Sequence, residues 1–131
     1  MGAYFSGKKV SGVVDTGWID ASKYLVNGFK VYSGSYLRYK IRGGIVYFAG
    51  IVTPGTDKAG ETEVAILSGL PFSLQTNQYS TQPGSTGNLW VANASGTTVT
   101  FNRHTSPGKS GWTTAAAGEW LALGGAAFAL A

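Results

Sequence analysis

The chain of 131 residues contains no cysteine, one histidine, one methionine and only six acidic residues. Without cysteine there is no disulfide framework and no thiolate metal site, although this says nothing about the compartment. With His104 as the single histidine, a Ser-His-Asp triad or a histidine metal pair must use that residue alone. No G-x-S-x-G elbow is present. No apolar run approaches the length of a membrane span, and the N-terminus lacks the apolar core of a signal peptide. No helical periodicity and no internal repeat emerges either. The net charge of +4 reflects the shortage of acids, and Lys8-Lys9 is the only cationic dipeptide. Nucleic-acid binding calls for a concentrated basic patch, so that class is disfavoured. A weakly positive surface does suit an anionic partner such as a phosphate-bearing glycan.

What is abundant is glycine, with 20 residues, and aromatics, at 13%. Both favour strands and turns, in a chain long enough for one domain with a real core but not for two. The most informative stretch is Leu37 to Pro54. Leu37, Tyr39 and Ile41 alternate with Tyr36, Arg38, Lys40 and Arg42, the period of a half-buried strand. Gly43-Gly44 provides the positive φ angles of a two-residue hairpin turn. The return strand, Ile45 to Val52, is apolar on both faces, so both faces are expected to be covered. That register sets Ile41 opposite Val46, Tyr39 opposite Phe48 and Lys40 opposite Tyr47.

The rest of the chain reads as further strands. Residues 1–14 form an N-terminal arm or linker, and residues 15–131 the β domain. Met1 to Ser6 fits a myristoylation pattern, but the plainer expectation is a start codon on a piece of a longer protein. Asp15 to Ile19 opens the domain, and Asn27-Gly28 is a turn before Phe29 to Tyr32. Thr62 to Ser68 is a strand with Val64 and Ile66 inward. Gln75 to Gln82 is either an edge strand or a surface loop. Asn88 to Ala94 and Thr97 to Asn102 form a second hairpin about Ser95-Gly96. Arg103 to Thr114 reads as a long loop, and Glu119 to Leu130 closes the domain. Trp18 and Trp120 are assigned to the core; for Trp90 the pattern leaves core and surface both open. Strands at this spacing predict an all-β fold, a compact antiparallel barrel or sandwich.

In this order the segments DTGWI, LVNGF, LRYKIRGGIVYFAGIVT and AILSGLPFSL, with a terminal strand carrying Trp120, Leu123 and Phe128, carry a resemblance. The chain resembles the C-terminal receptor-binding head domain of tail fibres and baseplate proteins from phages of Gram-positive bacteria. The likeness covers most of residues 15–130; residues 75–112 depart from any fixed pattern. It implies a β head at the tail tip of a virion, trimerised about an axis, that binds host cell-wall polysaccharide reversibly. Other tail or baseplate proteins would be reached through a missing N-terminal region. The alanine-rich, uncharged C-terminus fits a trimer surface, unless those residues fill the protomer's own core.

Catalysis finds little purchase. Pro107-Gly108-Lys109-Ser110 lacks the earlier glycine of a P-loop, and Asn93-Ala94-Ser95 is a sequon without a demonstrated secretory route. Glu61 and Glu63, on one side of an expected strand and roughly 7 Å apart, stand near the separation of an inverting glycosidase pair. Their place at a strand end beside Asp57 and Lys58 favours plain solvation. Sugar binding needs an aromatic platform beside planar hydrogen-bonding groups. Tyr79, Trp90 and Trp112 with Asn93, Asn102, Arg103 and His104 supply both, and Arg103 suits a phosphate diester. Arg103, His104 and Trp112 are expected to act jointly. No cofactor, metal or membrane insertion is expected. The competing expectations are a polysaccharide depolymerase and a ligand-free structural tail or decoration module.

Overall fold

Gly43 and Gly44 adopt φ angles of 59° and 78°, and the hairpin they close is the spine of the molecule. The computed structural model describes residues 15–131, together with a backbone pairing of β1 (Tyr4–Phe5) with β2 (Lys8–Lys9). The arm expected over residues 1–14 otherwise lies outside the described residues. Strand β5 (Leu37–Arg42) pairs with β6 (Ile45–Thr53) in the expected register, including Tyr39 with Phe48 and Lys40 with Tyr47. β3 (Ile19–Asp20) lies outside β5. β6 outruns β5, and β4 (Lys30–Val31) takes over its remaining edge. Gly50, at φ 120°, marks that handover: any Cβ there would collide with the Tyr36 carbonyl oxygen. The other edge of β6 is covered by β11 (Leu121–Ala122) and β12 (Ala127–Ala129).

The second sheet runs β7 (Val64–Leu67), β10 (Thr98–Thr105), β9 (Leu89–Gly96), β8 (Leu74–Pro83), all antiparallel. Residues 75–82 thus belong to an edge strand, where a polar stretch is at home. The sheets face each other across one core. Leu37, Tyr39, Val46, Phe48 and Val52 meet Trp90, Ala92, Ala94, Val99 and Phe101. Each large side chain so buried contributes about 1.5–3 kcal/mol. On one flank the sheets are joined where Val26 N–H donates to Ile66 and Ser68 N–H to Tyr24. On the other, bridges pair Leu74 with Leu130 and Gly84 with Leu121. Between those bridges no backbone ladder runs; three glutamines of β8 close the gap. Gln78 donates to the Ala129 carbonyl (2.9 Å) and accepts from its N–H (2.7 Å). Gln82 donates to the carbonyls of Ala122 and Gly124, and Gln75 to that of Leu130. The result is an all-β, sandwich-like fold rather than a closed barrel.

Several expectations need correction. Trp18 is 47% exposed and Trp120 is only partly buried; the inward residues beside the latter are Leu121 and Leu123. On the outward face of β6 Tyr47 is exposed while Ile45, Ala49 and Ile51 are partly buried, so the cover expected on both faces is incomplete on this one. Glu61 and Glu63 precede the strand, which begins at Val64, and both lie exposed in the preceding turn. The loop expected from Arg103 starts at Ser106, because β10 runs on to Thr105. In the C-terminal segment, Leu121, Leu123, Ala126 and Phe128 fill the protomer's own core, so this segment gives no argument for a trimer.

Candidate functional site

A bulge decides which of the expected site residues can meet a ligand. Arg103 sits at φ 53°, and the β9–β10 register shifts between Asn102 and Thr105. The Asn102 side chain holds this geometry, its Oδ1 accepting the Arg103 N–H at 2.8 Å. The extra residue changes the parity of the strand. Asn102 and Arg103 both lie outside the core, while His104 turns inward and is completely buried. Its Nδ1 lies 3.0 Å from the Thr113 carbonyl oxygen, to which it donates; Nε2 has no partner. Trp90 is likewise fully buried, near-stacked on Phe101 at 5.8 Å, its indole N–H donating to the Pro83 carbonyl. Neither Trp90 nor His104 is open to a polymer at the surface.

The outward face of β8, β9 and β10 does gather four of the expected residues. Tyr79, 56% exposed, stands opposite Asn93, whose other neighbour is Thr100. The Arg103 guanidinium lies over the Tyr79 ring, 5.5 Å from its centroid. Since β9 lies between β8 and β10, the arginine side chain spans that strand, whose outward residues there are Val91 and Asn93. This gives a physical reason for the burial of Asn93, only 9% exposed at an outward position, with an Oδ1 that has no hydrogen-bond partner. A buried acceptor without a donor is uncommon and calls for an explanation. Trp112 is half exposed on loop 106–114, where the Thr113 N–H donates to the His104 carbonyl at 2.7 Å. Since His104 is buried, the expected trio of Arg103, His104 and Trp112 cannot meet a ligand jointly; of the three, Arg103 and Trp112 are exposed.

Sequence reasoning missed a second surface, on the other sheet. A groove of about 490 Å³ is lined by Trp18, Lys40, Arg42 and Tyr47, over a floor that includes Ala49, Gly125 and Ala126. Lys40 stands directly across from Tyr47, and its Nζ lies 4.8 Å from the Trp18 ring centroid. The alternation of Arg38, Lys40 and Arg42 was the available signal, and dipeptide counting overlooks cations two residues apart. Among the described residues, no group of three or more His, Cys, Asp or Glu side chains could hold a metal ion. Comparison with protein-family models, curated proteins and solved structures finds no match for this chain.

Proposed function

We propose that this domain is a non-enzymatic, glycan-binding head by which a phage adheres to its host. Its ligand is cell-wall or cell-surface polysaccharide, bound reversibly at the tail tip of the virion. The supporting observation is the assembly of Tyr79, Arg103, Asn93 and Asn102 on one outward sheet face. An exposed phenol ring accepts the apolar C–H face of a pyranose, and the guanidinium plane beside it donates to ring hydroxyls or to a phosphate. If Arg103 leaves Tyr79 for the ligand, a sugar hydroxyl can donate to the open Oδ1 of Asn93, which no protein group satisfies. Strands hold these groups, so little ordering is required on binding.

Incubating the domain with purified host wall polysaccharide tests this reading. Retention without cleavage, weakened in Tyr79→Ala and Arg103→Ala, is the expected result. New reducing ends would make the protein a depolymerase, and absence of any retention would leave a structural module.

A further inference from the structure

The outward face of the β5–β6 hairpin has the makings of a site of its own. Ile19 pairs with Tyr39, and extending that register by one residue sets Trp18 beside Lys40. Across the sheet, Trp18, Lys40, Tyr47 and Ala127 therefore form one row, with the ammonium over the Trp18 ring. Along β5, Arg38 and Arg42 flank Lys40 at about 7 Å each, the repeat of alternate strand positions. Arg38 is stacked on the exposed Tyr36 ring at 4.0 Å. Arg42 lines the groove.

Among the described residues no carboxylate lines the groove, so the charge of this surface is uncompensated there. The two acids nearest in register, Asp15 and Asp20, are turned to their own loops: Asp15 accepts the Gly17 N–H, and Asp20 accepts the N–H and hydroxyl of Ser22. Phe48, Ala49, Gly125 and Ala126 complete the lining. The groove is open to solvent over much of its extent, which suits a segment of a polymer better than an enclosed small molecule.

We propose that the Trp18–Lys40–Arg42–Tyr47 groove binds an acidic saccharide, the rings taking its apolar faces and Lys40 and Arg42 its phosphate or carboxylate. Arg42 offers paired N–H donors that match either anion bidentately, while Lys40 acts as a point charge. A neutral sugar would leave two cations without a partner, so the groove discriminates by charge. This site lies on the sheet opposite Tyr79 and Arg103, and it stands whether or not that face binds glycan.

The test is titration of the whole chain, followed by Trp fluorescence and by chemical-shift perturbation. The probes are poly(glycerol phosphate), polygalacturonate, neutral dextran and inorganic polyphosphate. Poly(glycerol phosphate) or polygalacturonate should bind, and whichever binds tighter identifies the anion as phosphate or carboxylate. Trp18→Ala and Lys40→Gln should each weaken that binding roughly tenfold, and Lys109→Gln, the same loss of charge on the exposed loop 106–114 outside the groove, should leave it unchanged. Raising salt from about 0.1 to about 1 M should weaken it further, as the Debye length falls from about 10 to about 3 Å. Lys40→Gln keeps the first two methylenes of the stem, and its melting curve separates lost binding from lost folding. The proposal is overturned if neither acidic polymer binds, if dextran binds as well, or if Lys40→Gln folds and binds normally. Equal binding of polyphosphate to wild type and Trp18→Ala, as tight as that of the acidic glycans, would reduce the effect to bare charge and overturn it too.

Discussion

His104 shows how one backbone angle decides a residue's role. A left-handed Arg103 pushes the imidazole into the core, where it meets the Phe101 ring at 5.9 Å and donates to the Thr113 carbonyl. His104→Ala is expected to cost about 2–4 kcal/mol, from lost packing and a lost hydrogen bond; urea denaturation measures it. Strand periodicity alone sends Arg103 inward and His104 outward, so the bulge is what made the site half legible. Tyr79, Asn93, Asn102 and Arg103 are readable as a polar, aromatic group; the inward turn of Trp90 is not, because Leu89 and Val91 fit the same apolar pattern. Tyr39 carries a pH prediction. Burial first, and the neighbouring Tyr24 second, raise its phenol above the usual 10.0. The unfolded chain therefore ionises before the folded one. The stabilisation is intact below the unfolded value and is lost as pH rises through the folded value. Urea midpoints compared at about pH 8 and about pH 11 should fall less in Tyr39→Phe than in wild type.

Elements differ in how openly the chain declares them. The β5–β6 hairpin is legible to the residue, since strict alternation, a Gly-Gly turn and matching apolar partners all agree. β8 is hidden because beyond Leu74 its inward residues are Gln78, Ser80 and Gln82, whose two glutamines bond the C-terminal segment. Gly50 is the most exacting position in the hairpin. Gly50→Ala should destabilise by at least about 3 kcal/mol, as the methyl collides with Tyr36 at a φ that alanine resists. Thermal melting is enough to see it. Gln78→Ala is milder: it strips both backbone partners of Ala129 at once and should cost about 2 kcal/mol. Hydrogen exchange at the Ala129 amide should speed up more than at the amides of β9, which locates the loss at this seam.

At the scale of the whole molecule, assembly follows from surfaces rather than from the core. The trimer that the resemblance implies gains nothing from the C-terminal segment, whose apolar residues fill the domain's own core. Sedimentation at micromolar concentration decides it: a species of three times 13.6 kDa would support that expectation and a stable monomer would end it. The groove at Trp18 and the face at Tyr79 lie on opposite sheets, so a polymer held at both would have to wrap the domain or bridge two copies. The glutamine closure between β8 and the final strand has a different bearing. Carboxamides take up no proton in ordinary acid and are not screened as ions are. A join made from them keeps its grip through changes of acidity and brine that would loosen one made from ion pairs.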